Sequence, residues 1–269
     1  MTQTSRQQRR SAHRDLLKLG RAAFARGLPA QPRRETVLGV ALVLKAKLKE
    51  RDNGHRAGEA AGLALGLVER SLAARPPAAA IACRKGCSYC CHSFVGLTAP
   101  EVFRLVDAVR SRRAGVPSVE LVLERCRPLQ GLSPTERIGR KLPCPLLEDG
   151  MCSVFADRPM VCRQTTSLSL EACIDEFEDR NKEAPIPISP LHLAHVGNVH
   201  VAMLGALQAA GLPSAAYELS SAVSVALTVS DAERRWLSGD NIFRALTEVP
   251  RPTSHIDVVA GKIAEEIAS

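Results

Sequence analysis

The sequence predicts a mainly α-helical chain with an irregular cysteine-rich, metal-binding loop and a small β-hairpin, and three observations predict it. Most of the 269 residues fall into stretches whose apolar positions repeat at helical spacing and end at helix caps or breakers. One stretch, "CRKGCSYCCH" from Cys83 to His92, follows no period of either kind and sets four cysteines within nine positions. In a third, "LLEDGMCSVF", Asp149-Gly150 separates two short apolar runs, the strongest short-range hairpin signal in the chain.

Taken in order, a helix is expected from Glu35, where "ETVLGVALVLKAKLKERDNG" runs through a charged last turn to a glycine. A second is expected over Ala57 to Ala74, with Ala61, Leu65, Val68 and Leu72 on one face, and "RPPAAA" breaks it. Beyond the cysteine loop, Thr98 and Glu101 make a capping-box pair, and Val102, Leu105, Val106 and Val109 follow at helical spacing. "SVELVLERC" continues as helix, and "SPTER" opens another with Pro134 at its first position. "APIPISP", Ala184 to Pro190, reads as an extended connector, because each proline fixes its own φ and disfavours helix in its predecessor. Residues 190–230 form two helices split at Gly211-Leu212-Pro213. "DAERRWLSGDNIF" and a helix after Pro252 complete the chain. The expected division is a basic, partly disordered tail over 1–34, a helical cysteine-cluster region over 35–183, and a C-terminal helical region over 184–269 packed on the same domain.

The net charge of +8 is unevenly spread. Residues 1–34 carry nine Lys/Arg against one acid, Asp15, and the remaining 235 residues carry 27 of each sign. The tail is thus a candidate arm for RNA, acidic lipid or an acidic partner, or a solvated end. No run approaches the roughly 18 apolar residues that cross a bilayer; "TVLGVALVL" is the longest. "MTQTSRQQRRSAHRDLLKLG" lacks the apolar core of a secretory signal, so a reducing, cytoplasmic setting is expected.

That setting bears on the nine cysteines: 83, 87, 90, 91, 126, 144, 152, 162 and 173. A chain of this length buries a core without covalent staples, and the count is odd, so a disulfide framework is disfavoured. Metal binding is the better reading. Cys87 and Cys90 have the Cys-x2-Cys step that turns two thiolates toward one metal, and Cys83 can join them from the same loop. Cys91 points away from Cys90 and is expected to face another metal or none. Cys144 and Cys152 flank the hairpin and can converge across it, with Cys162 and Cys173 beyond. Thiolate sites carry excess negative charge, which Arg84, Lys85, Arg158 and Arg163 are placed to offset. Gly86 can supply a positive φ for the turn.

"CRKGCSYCC" followed by "CPLLEDGMCSVFADRPMVCR" resembles the YkgJ-type cysteine-cluster family, described as a zinc- or iron-chelating domain with a CxxCxxCC segment and a later C…C…RPxxCR segment. The resemblance spans about 81–173. It implies metal ligation by Cys83, Cys87, Cys90, Cys91, Cys144, Cys152 and Cys162, with Arg158, Pro159 and Arg163 from the same motif. Cys173 follows where some relatives also carry a cysteine, and Cys126 matches nothing in the pattern. The first gap is three residues rather than two, which leaves Cys83 the outlier of its group. The family also resembles flagellin lysine N-methylases, so a methyltransferase using S-adenosylmethionine and a protein substrate is the alternative to a metal-binding module. The cofactor is an iron–sulfur cluster or Zn²⁺, since all-cysteine sites serve both; adjacent cysteines favour the polynuclear centre.

Other features carry less. His192, His195 and His200 lack an HExxH context and read as helix histidines, while His92, beside Cys91, is a candidate ligand. The acids between Asp175 and Glu183 read as a solvated helix face, and Trp236 as core. Cys83, Cys87 and Cys90 have radical-SAM spacing, but the alternating strand–helix pattern of that barrel is missing. No phosphate-binding glycine loop or nucleophile elbow occurs.

Overall fold

A computed structural model describes residues 3–51, 53–77, 79–179, 185–250 and 254–268, and it has the mainly helical architecture the sequence predicts. Helix α2 (Arg34–Leu48) is buried on nearly all sides, as its run of Val, Leu and Ala requires. It lies between α1 (Gln3–Arg26), α3 (Arg56–Ala74), α9 (Pro190–Ala209) and α12 (Ser254–Ala268). The basic segment expected to be partly disordered is therefore helical over 3–26. The reason is a glycine pair: a Cβ on Gly20 would sit 2.1 Å from the carbonyl oxygen of Gly39, so α1 rests directly on the α2 backbone. Arg9, Arg10, Arg14, Lys18, Arg21 and Arg26 stay exposed on the outer face.

The second layer joins α3 to α4 (Ala99–Arg110) and α4 to α10 (Leu219–Thr228). The expected capping box is present at α4, with Thr98 and Glu101 bonded reciprocally. Two three-residue strands that sequence patterning missed, β1 (Gly96–Thr98) and β4 (Ala216–Glu218), pair antiparallel with Leu97 opposite Tyr217. Each runs straight into a helix whose N-terminus its last residue caps: Thr98 for α4 and Glu218 for α10. Runs this short show no alternation to detect. Trp236, on α11 (Ala232–Leu237), is core as expected. It stands edge-on to Phe103 with centroids 5.6 Å apart, and Phe243 bridges Phe103 and Tyr217.

The hairpin forms where Asp149-Gly150 demanded it. Strands β2 (Leu147–Glu148) and β3 (Met151–Cys152) pair antiparallel, and both turn residues have positive φ, 48° and 72°. That is the geometry of a tight hairpin turn. On either side of it in the chain come α5 (Val119–Cys126) and α6 (Pro134–Gly139), then α7 (Met160–Gln164) and α8 (Leu170–Glu178). The connector is extended over 185–189 and zips against 166–168, with Leu168 donating to Pro187 and Ser189 to Thr166. The boundary expected at 183/184 lies outside the described residues. Among the described residues no helix is long and apolar enough to cross a membrane.

Candidate metal centre

The cysteine loop is built from two consecutive tight turns. Cys87 N–H donates to the Arg84 carbonyl at 3.0 Å, with Gly86 at φ +85°, the positive value its position predicts. A 3-10 turn over Tyr89–His92 follows, with Cys91 N–H donating to Ser88 and Ser93 N–H to Cys90. This curls Cys87, Cys90 and Cys91 round one side of a cavity of about 670 Å³.

The opposite wall comes from the second segment. Cys144 N–H donates to the Cys91 carbonyl at 2.8 Å, which fixes the start of the segment to the loop. The hairpin then brings back Cys152, and Ser153 closes it by donating from both N–H and Oγ to the Leu146 carbonyl. Cys162 arrives on α7, whose first N–H, that of Met160, donates to Glu101 Oε1 at 2.8 Å. Glu101 is the capping residue of α4, so one buried carboxylate ties the cap of α4 to the helix that presents Cys162. Cys87, Cys90, Cys91, Cys144, Cys152 and Cys162 all line the cavity, and Arg84, Lys85 and Arg158 share its wall.

Cys83 and Cys173 sit beside this set, on either side of Ser167. Ser167 N–H points at Cys83 Sγ at 3.3 Å, and its side chain bonds to Cys173. Cys173 is carried by α8, which is clamped to the loop by Phe177. The Phe177 ring meets Tyr89 at 5.6 Å and His92 at 5.0 Å, with Lys141 Nζ 4.7 Å from its centroid. His92, a candidate ligand by sequence, turns Nδ1 to the Ser88 carbonyl at 3.1 Å and packs on Phe177, away from the cavity lining. Cys126 is fully buried in the apolar core and hydrogen-bonded to Ser224; burial pushes its thiol up to about 11. His192 bonds to Ser189 at 3.0 Å, and His195 is wholly buried with both ring nitrogens unbonded among the described residues.

The thiols interact electrostatically in two overlapping sets. Cys91, Cys144, Cys152 and Cys162 form one, Cys83, Cys87 and Cys173 the other, and Cys90 acts on both. The hydrogen bond from Cys91 and the Arg158 charge hold Cys90 down at about 7, and the same bond and burial drive Cys91 up. Burial pushes Cys144 up to about 12 and raises Cys162 well above the thiol range. Among the described residues no three of these sulfurs come within 4.8 Å of one another.

Two basic residues depart from the sequence expectation. Arg163 does not face the thiols; it is buried, donates to the Arg158 and Ala156 carbonyls at 2.9 and 2.6 Å, and pairs with Glu69 on α3. Its role is to anchor α7. Arg137, which the sequence did not single out, lies near Cys144, and its Nε is buried without a partner among the described residues. No local signal marks it, because only the chain path after α6 brings it there.

Residues 82–184 match a family model described as "CxxCxxCC: Putative zinc- or iron-chelating domain". The match opens one residue before Cys83 and takes in every cysteine of the chain, while α1, α2, α3 and the helices from α9 onward lie outside it. No curated protein and no solved structure matches the chain.

Proposed function

We propose that the chain is a metal-binding protein whose centre is an iron–sulfur cluster. The observation that carries the reading is the convergence of six cysteines, from a loop, a hairpin and a helix far apart in sequence, on one cavity with three basic residues in its wall. The donor set is all thiol, which suits zinc or iron–sulfur and disfavours hard cations. Adjacent Cys90 and Cys91, with the Cys-x2-Cys step of Cys87 and Cys90, favour the polynuclear cluster.

In this reading Cys90, Cys91, Cys144, Cys152 and Cys162 supply the main ligands, and Cys83, Cys87 and Cys173 lie ready for a second centre. Such a group supplies electron transfer or substrate ligation when bound. The protein's own residues do the rest: Arg158, Arg84 and Lys85 offset thiolate charge, and Glu101 and Phe177 hold the ligand-bearing segments in register. A reducing compartment follows from the need to keep these thiols free.

The test is anaerobic purification with metal and acid-labile sulfide analysis. A brown protein absorbing near ~400 nm with sulfide present supports the proposal. A colourless protein with stoichiometric zinc overturns the cluster and leaves a structural zinc site, and absence of both metals overturns metal binding altogether.

The second reading is a catalytic use of the same centre, as in a methyltransferase that uses S-adenosylmethionine. The size of the cavity favours it, since about 670 Å³ falls in the range of small-molecule pockets. Titration of S-adenosylmethionine into metal-loaded protein decides it: saturable binding that is lost in a cluster-free variant supports the enzyme, and no binding removes it.

A further inference from the structure

A second group of metal-binding side chains lies away from the cysteines. His55, at the N-cap of α3, Asp107 on α4 and Glu233 on α11 each offer a ligand atom, and the three atoms lie within 4.8 Å of one another. They line a separate cavity of about 80 Å³ that shares no residue with the cysteine cavity. That volume suits an ion with one or two waters, each of which occupies about 30 Å³.

The decisive group is Glu233, whose side chain is 8% exposed. Its Oε1 accepts from the N–H groups of Ala57 (2.7 Å) and Gly58 (2.8 Å), the first turn of α3. That is the whole of its capping role. Its Oε2 is aimed into the cluster, 3.8 Å from His55 Nδ1. Asp107 Oδ2 faces the same spot. A Cβ placed on Gly58 would lie 3.2 Å from Asp107 Oδ2 and 3.4 Å from Glu233 Oε2, so a side chain there would crowd both oxygens.

Two carboxylates held this close favour a cation; the Arg104 and Arg110 charges act on Asp107, and Arg110 and Arg234 share the cavity wall, but the hydrogen bonds of Arg104 and Arg110 go to other groups. Arg104 pairs with Asp157, Arg110 donates to the Ala226 and Leu227 carbonyls, and Arg234 lies over Gly54. Burial, with the Asp107 charge adding to it, pushes the Glu233 carboxyl up to about 7, and burial raises Asp107 too. Donors bonded to one ion at about 2.1 Å lie at most about 4.2 Å apart, so the cluster needs only a small side-chain adjustment to close on an ion. One imidazole and two carboxylates suit a borderline or hard divalent metal, whereas the thiol set suits a soft one.

We propose that His55, Asp107 and Glu233 form a second, sulfur-free binding site for one divalent transition-metal ion, open to solvent on the His55 side. The site joins the start of α3 to α4 and α11, so occupancy braces three helices.

Mn²⁺ is the probe, because it prefers oxygen and nitrogen donors and competes poorly for thiolates. The full chain, with its cysteine centre as purified, is titrated with Mn²⁺ while free ion is read by electron paramagnetic resonance. Iron, zinc and sulfide are assayed in parallel. The expected result is one saturable Mn²⁺ per chain, weakened about tenfold or more by Asp107→Asn and by His55→Ala, with cysteine-bound metal unchanged. His55 is exposed and Asp107→Asn is isosteric, so neither test depends on Glu233→Gln, which removes a helix cap and threatens folding. No saturable binding by the wild-type chain, or binding that survives either substitution, overturns the proposal.

Discussion

Glu101→Gln is expected to loosen the fold and the cysteine centre together. Glu101 is 5% exposed, and its carboxylate accepts three hydrogen bonds: Oε2 from Thr98 N–H (2.9 Å) and Thr98 Oγ–H (2.8 Å), and Oε1 from Met160 N–H (2.8 Å). Glutamine keeps the shape but offers one acceptor oxygen and an NH₂ group that must face a donor. If the oxygen keeps Thr98, the Met160 N–H is buried unpaired; if it keeps Met160, the α4 cap is lost. A buried donor left without its partner costs about 1–3 kcal/mol, and hydrogen bonds to a charged acceptor are worth about 1.5–3 kcal/mol against roughly 1 for neutral ones. The sum is about 1.5–5 kcal/mol. At the usual unfolding entropy per residue, about 2 °C of melting temperature corresponds to each kcal/mol for a chain of this size, so a fall of roughly 3–10 °C is expected. Thr98→Val is the control: it removes the hydroxyl as donor to Glu101 and as cap acceptor of α4 but leaves Met160 held, and should cost about 1–2 kcal/mol. Differential scanning fluorimetry measures the shift, and metal analysis after gel filtration reads retention at the centre. Metal loss in Glu101→Gln should exceed that in Thr98→Val, because only the former frees α7 and its Cys162. A Glu101→Gln protein that melts within a degree of wild type would refute the bridging role.

Cys126→Ser exchanges a core thiol for a hydroxyl near Ser224. It should lower the melting temperature by about 2–4 °C, from roughly 1–2 kcal/mol of buried polarity, and leave metal content unchanged. Cys90→Ser, by contrast, should deplete the metal; if Cys126→Ser depletes it as much, the ligand assignment is wrong. Gly39→Ala places a methyl 2.3 Å from the Leu16 carbonyl oxygen and 2.6 Å from Gly20 N, backbone atoms that cannot swing aside. It should cost about 1–3 kcal/mol and expose the arginines of α1 to limited tryptic cleavage, with the centre intact. Resistance to trypsin equal to wild type would show that α1 does not depend on this contact.

What the sequence by itself determined is what short-range chemistry encodes. Thr98 and Glu101, three apart, announced the start of α4; Asp149-Gly150 announced the hairpin; Gly86 announced a turn at positive φ. Cysteine count and spacing marked the segment that matches the zinc- or iron-chelating family model, because thiols that close together are an uncommon pattern with a metal-ligand spacing. Only the tertiary structure decided the long-range partners. Glu101 Oε1 reaches across 59 positions to Met160, the Cys91 carbonyl takes the Cys144 N–H, and Arg163 turns from the thiols to α3 while Arg137 and Arg158 approach them. The docking of α1 through Gly20 and Gly39 is of the same kind, as is the meeting of His55, Asp107 and Glu233. The physical reason is that caps, turns and periods involve residues within about one turn of each other and leave a pattern in the chain, whereas a single atom-to-atom contact between distant segments leaves none until the core has packed.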